Sequence, residues 1–143
     1  MGRAISDPNK SPADLSNLVS YREFVQKIGS FLCVYHSDED TLFFRPKQPQ
    51  PAVSIDWNGE LWFRIDPITN SFVGIEIENF ETVFLKKYPK LAPIWKEAKP
   101  SCTHRYKAKN GTLVDSFMRI LLDFLSELFE NNPQQLKMHE SLP

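Results

Sequence analysis

Two short segments on either side of Asn58-Gly59 constrain this chain more than any other feature. Val53-Ser54-Ile55-Asp56 and Leu61-Trp62-Phe63-Arg64-Ile65 both alternate apolar with polar residues, the period of a half-buried strand. A two-residue Asn58-Gly59 loop would pair Trp57 with Glu60 and set Val53 opposite Arg64, mixing apolar and charged groups on each face. A three-residue loop, Trp57-Asn58-Gly59, pairs Asp56 with Glu60 instead. It sends Val53, Ile55, Leu61, Phe63 and Ile65 to one face and Ser54, Trp62 and Arg64 to the other. Asp56 suits the first position of a type I turn, and Gly59 the left-handed position of the bulge that follows. Asp56 beside Glu60 is a mild cost at a solvated hairpin end. Such a hairpin has one face to bury.

The segments around it supply more strand. Phe31 to His36 and Thr41 to Arg45 are aromatic and β-branched, and Ser37-Asp38-Glu39-Asp40 between them reads as a hairpin turn. Pro46-Lys47-Gln48-Pro49-Gln50-Pro51 cannot sustain a sheet ladder, because three of its six residues lack a backbone donor, so it is an exposed, extended connection. After the turn Asp66 to Ser71, Phe72 to Ile77 is the next strand. Alternation sends Val73, Ile75 and Ile77 inward and Phe72, Gly74 and Glu76 outward. The sum is an antiparallel β-meander of four to five strands.

Helices flank it. Ser11-Pro12-Ala13-Asp14 reads as a helix start, with Ser11 as N-cap, and Gly29 as a stop; Ser20 re-caps the chain and divides the segment in two. Asn79 caps a helix carrying Phe80, Val83, Phe84 and Tyr88, which Pro89 ends, and Leu91 to Ala98 makes a short helical turn. Residues 99 to 111 are a polar connection. Thr112 with Asp115 resembles a capping box for the clearest helix, which runs to about Asn131. Its apolar stripe (Leu113, Val114, Phe117, Met118, Ile120, Leu121, Leu122, Phe124, Leu125, Leu128 and Phe129) is wider than one contact with a sheet needs, so it is either the central core helix or the seam of a dimer. The class is α+β, an antiparallel sheet packed by N-terminal and C-terminal helices. Residues 11–131 form one domain, 1–10 are a disordered N-terminus and 132–143 a flexible tail.

Composition excludes several classes. The 143 residues fit one domain, and 41% hydrophobic with 24% charged residues can build a core. A net charge of −1 excludes a globally basic nucleic-acid binder. No apolar run reaches the roughly 18 residues of a membrane span, and no signal-peptide pattern opens the chain. Cys33 and Cys102 are too few for a disulfide framework or a four-thiolate zinc site, which leaves a reducing cytoplasm as the default location.

Candidate chemistry is sparse. His36, His104 and His139 stand at no ligand spacing with one another, and Cys102-x-His104 supplies two metal ligands where a structural site needs four. Cys33 reads as a small hydrophobe in a strand. No phosphate loop, nucleophile elbow or cofactor motif is present, so no cofactor, metal or catalytic residue is assigned. Asp56, Glu76 and Glu78 could surround a sheet-face site for a small ligand or an enzyme, although a solvated outer face explains them more simply. Trp62 and Phe72 fall on the polar side of the sheet and make a contact patch if no helix covers them. Residues 86 to 109 carry eight basic residues against Glu97 alone. Lys86, Lys87, Lys96, Arg105 and Lys107, with Tyr88, Trp95 and Tyr106 among them, have the makeup of a single-stranded nucleic-acid contact.

Tyr35-His36-Ser37-Asp38-Glu39-Asp40-Thr41-Leu42-Phe43-Phe44, Val53-Ser54-Ile55-Asp56-Trp57 and Val73-Gly74-Ile75-Glu76-Ile77 together carry one resemblance. Residues 35–85 resemble a short bacterial family of unknown function, whose members read approximately as an acidic turn, D-x-L-Y-I, V-D-Y-D and V-G-I-E-I. The strand Glu60 to Asp66 departs from that pattern. The resemblance implies a small β-meander and a bacterial origin and brings no activity.

These readings favour a non-catalytic cytoplasmic interaction module, a homodimer with Trp62, Phe72, Leu113, Phe117, Ile120 and Phe124 as its contact residues. A nucleic-acid-associated module using the basic segment comes second, and a small-ligand binder or enzyme at the carboxylates third.

Overall fold

The computed structural model describes residues 15–57, 59, 61–103 and 111–131. Five strands form one antiparallel sheet: β1 (Phe31–His36), β2 (Thr41–Pro46), β3 (Val53–Asp56), β4 (Leu61–Ile65) and β5 (Phe72–Ile77). Their order is β1-β2-β5-β4-β3. The β1-β2 hairpin and the β3-β4-β5 unit therefore meet through β2 and β5, with Leu42 beside Ile77 and Phe44 beside Ile75. The Pro-rich connection carries the chain from the middle of the sheet to its far edge, as extended backbone that pairs with no strand.

The helices are α1 (Leu15–Gln26), the short α2 (Leu85–Lys87), α3 (Ala92–Cys102) and α4 (Thr112–Asn131). Buried residues of α1, α3 and α4 form one cluster with the inward residues of all five strands. The α+β class and its antiparallel sheet flanked by helices are thus what the chain forms. No described outward residue of the sheet belongs to that cluster.

Several local expectations are corrected. The β3-β4 hairpin pairs Asp56 with Trp62 and Val53 with Ile65, and the Trp57 amide donates to the Leu61 carbonyl at 2.9 Å. The loop therefore lies one residue later than read, and the register is displaced by two. The facial argument survives because a slip of two preserves every side chain's face. Trp57 joins the core as a consequence. Helix α1 runs unbroken through Ser20, since Tyr21 and Phe24 just beyond it are buried and Tyr21 Oη donates to the Leu122 carbonyl at 2.6 Å. The start at Ser11 and both terminal segments lie outside the described residues. Helix α3 runs on to Cys102 because Ala98 and Cys102 are buried. In α4, Gly111 occupies the cap position and its carbonyl accepts the Asp115 amide at 3.1 Å. Thr112 is therefore already the first helical residue and caps nothing.

Helix α4 is a core helix. Val114, Phe117, Met118, Leu121, Leu122 and Leu125 are buried within one chain, and Phe124 packs partly buried against Tyr88. Leu113 and Ile120 alone remain exposed among its described large apolar residues, at 37% and 44%. Two scattered apolar side chains make an ordinary surface, and the wide stripe is used inside the fold.

The segment after β5 is organised from a distance. Asn79 adopts a left-handed backbone (φ 53°) and makes no side-chain cap. Phe80–Phe84 winds as a π turn, with the Phe84 amide reaching the Asn79 carbonyl at 3.0 Å. Its cap is Asp40, in the β1-β2 turn. The Asp40 carbonyl accepts the Phe80 amide at 2.9 Å, Oδ1 accepts the Glu81 amide at 2.8 Å, and Oδ2 accepts the Thr82 amide at 3.0 Å and hydroxyl at 2.8 Å. Tyr35 Oη completes the set by donating to Oδ1 at 2.7 Å. Phe80, so placed, packs against Tyr35, Trp95, Phe84 and Phe117.

Burial pushes the Asp40 pKa up, but these hydrogen bonds outweigh it and hold the carboxyl below its ordinary range. A lowered folded-state pKa contributes stability above the unfolded value and loses it as pH falls through the folded one. Asp40→Asn, which tolerates the left-handed backbone, should lower unfolding free energy at neutral pH by about 2 kcal/mol. Urea titrations from about pH 5 to about pH 2 should show a shallower loss of stability in the variant than in the parent.

Candidate functional site

The helices pack on the inward face, which leaves the outward face as the sheet's candidate contact surface. Pairing sets its residues in rows. Val34, Phe43, Glu76, Trp62 and Asp56 follow one another across all five strands. In the next row Leu32 neighbours Arg45, and Gly74, Arg64 and Ser54 continue on the other strands. Leu32, Phe43 and Trp62 are half-buried, and Val34 is buried. The Trp62 indole N–H is shielded from solvent yet meets no acceptor among the described residues.

Gly74 is required where it stands. A Cβ there would lie 2.8 Å from the Phe44 carbonyl oxygen and 3.6 Å from two Arg64 side-chain carbons. The Arg64 side chain fills that space and donates to Ser54 Oγ at 3.0 Å. The Pro-rich connection arches over this end of the face. Beneath it lies a groove of about 420 Å³, lined by Leu32, Phe43 and Val73 and by the cations Arg45, Lys47 and Arg64.

Trp62 lies on the outward face as read, and Phe72 does not. Ile65 pairs with Phe72 and Arg64 with Gly74, which leaves Val73 as a bulged residue. The bulge turns Phe72 into the core, stacked on Phe63 at 5.0 Å and edge-on to Tyr21 at 5.5 Å. Val73 takes the outward place. Strict alternation cannot register one extra residue, and the adjoining Gly74 was its only trace in the sequence. Phe117 is likewise a core residue, 5.1 Å from Trp95, and so is no seam contact.

Burial pushes the Glu76 pKa up, Glu78 adds to this, and Arg64 opposes it. None of Asp56, Glu76 and Glu78 lines the groove. Among the described residues no group of three His, Cys, Asp or Glu could hold a metal ion. His36 faces outward beside Phe43, while Cys33 faces inward, so they form no nucleophile pair.

The basic segment is divided. Lys86, Lys87 and Lys96 are exposed, and Arg105 and Lys107 lie outside the described residues. Lys99 pairs with Glu81 at 2.8 Å, and Lys90 sits 3.8 Å from Glu127 and over the Phe124 ring. Trp95 is buried with its indole N–H on Glu81 Oε2, and Tyr88 packs on Phe84 and Phe124. The buried Trp95 ring therefore presents no face on which a base could stack. No helix among the described residues is long and apolar enough to cross a membrane. No protein-family model, curated protein or solved structure matches the chain.

A carboxylate whose folded-state pKa is raised favours folding when protonated, and it detracts from stability as pH rises through its unfolded and folded values. Glu76→Gln should therefore raise the urea midpoint at pH 7 and leave it unchanged at pH 3, as followed by circular dichroism.

Proposed function

We propose that this chain is a non-catalytic interaction module of the bacterial cytoplasm, and that it works as a homodimer through the outward face of its sheet. The observation that carries the reading is Trp62: an indole left half-buried on the outward face, in one row with the half-buried Phe43 and outside the core cluster that the helices complete. The face also suits a second copy of itself. It bears Arg45 and Arg64 in one row and Glu76 and Asp56 in the next. A twofold axis lying between the rows sets Glu76 and Asp56, with Phe43 and Trp62 of the same row, against the partner's row of Arg45 and Arg64, so that charges pair and the rings meet guanidinium groups, the self-complementarity that an isologous interface needs. The remaining apolar side chains of α4, Leu113 and Ile120, stand outside this contact. A nucleic-acid role is less well supported, because Trp95 is committed to the core, Tyr88 is half-buried against it, and Lys90 and Lys99 are engaged with Glu127 and Glu81.

Light scattering should give a mass twice that of one chain, unchanged by a short mixed-sequence oligonucleotide. Trp62→Glu should yield a folded monomer, with its helical circular dichroism retained, and Ile120→Glu should leave the dimer intact. A parent protein that stays monomeric at submillimolar concentration, or a dimer split by Ile120→Glu and not by Trp62→Glu, would contradict this reading.

A further inference from the structure

The chain has two cysteines, and the fold brings them together. Cys33 lies in β1 and Cys102 in the last turn of α3, 69 residues apart, yet their sulfurs approach to 3.3 Å in the core. Both side chains are buried. We infer that Cys33 and Cys102 are an oxidative modification site, at which a hydroperoxide closes an intrachain disulfide that staples the end of α3 to β1. This inference is independent of the dimer.

Geometry sets the order of events. Both sulfurs are buried, so peroxide enters only through local opening, and Cys102, in the last turn of its helix beside the exposed Thr103, opens more readily than Cys33 within a strand covered by α3. The Cys102 sulfur attacks the terminal oxygen of the hydroperoxide and the O–O bond breaks. The leaving oxygen takes up the thiol proton and departs as an alcohol, or as water from hydrogen peroxide, leaving a sulfenic acid on Cys102. Cys33 Sγ then attacks that sulfur. The S–S bond forms, the S–O bond breaks, and the hydroxyl leaves with the Cys33 proton as water. Two thiols have lost two electrons and the peroxide has gained them. Burial pushes the Cys33 thiol well above its ordinary pKa and keeps it protonated, so it gives up its proton only as it attacks the sulfenic acid beside it. With a second sulfur in contact, ring closure outruns further oxidation of Cys102. A reducing compartment leaves the pair as thiols, and an oxidising pulse closes it.

The closed loop spans most of the sheet, so the staple removes much of the unfolded chain's entropy and should raise Tm by roughly 10 °C. The full-length native protein, treated with hydrogen peroxide, should lose both thiols together and become lighter by two hydrogens. It should run as a single chain on a non-reducing denaturing gel and regain its thiols and original Tm with dithiothreitol. Cys33→Ala should convert Cys102 to oxygenated forms with no rise in Tm, and Cys102→Ala should leave Cys33 unoxidised. The inference is overturned by sulfinic acid on either cysteine of the parent, by a cross-link between chains, or by thiols that survive in the native protein while the urea-unfolded chain is oxidised.

Discussion

The carboxylate of Asp40 joins the turn between β1 and β2 to the segment that follows β5. It sits in a hairpin turn, in a left-handed backbone conformation (φ 53°), and takes hydrogen bonds from Tyr35 on one side and from the Glu81 and Thr82 amides on the other. Those amides begin a π turn, whose first turn leaves its N–H groups without partners of its own. Once they are capped, Phe80 points into the core, and Glu81 reaches the Trp95 indole and Lys99. Glu81 itself is pushed up by burial, but the Lys99 ammonium and the indole outweigh this and hold it below its ordinary range. One charged group thus sets the turn, the entry to the helices and the position of α3.

With α3 placed, the sheet becomes one-sided. Helices α1 and α4 are tied to each other by Tyr21 on the Leu122 carbonyl, and both pack on the face that α3 also covers. The other face keeps the apolar row of Val34, Phe43 and Trp62. The crossing connection makes this arrangement possible, because it reaches the far strand without threading a helix over the outward face. Gly74 has a related role. Its missing side chain admits both the Phe44 carbonyl and the Arg64 stem, so the central strands meet closely where the bulge begins.

Much of this was legible in the residues, and the exceptions share a physical cause. Period-two alternation placed Ile55, Phe63 and Ile75 inward and Trp62 outward, because the parity of a strand is written in its own side chains. Alternation carries no information on slips of two, so the β3-β4 loop came out one residue early. Nor does it register an inserted residue, so Phe72 and Val73 exchanged faces. Cooperation across sequence was least visible. Asn79, a good local cap, was the natural choice for the helix after β5, while the true cap lay 41 and 42 residues away from the amides it serves. The wide stripe of α4 could not reveal whether its partners were in the same chain. Tyr21, Phe80 and Trp95 meet Phe117 and Leu122 only once the fold exists. On the outward face Trp62 was found by parity, whereas the groove beneath the Pro-rich connection depended on the strand order.

The central claim is that Asp40 fixes the segment after β5 as firmly as the sheet itself. Native-state hydrogen exchange of the Glu81 and Thr82 amides tests it most directly. The account predicts that both amides exchange only through global opening, at the rate of the Phe44 and Ile75 amides in the central strands. Exchange near the unprotected rate at these two positions, with the central strands still protected, would show that the carboxylate does not hold the turn and would contradict the account.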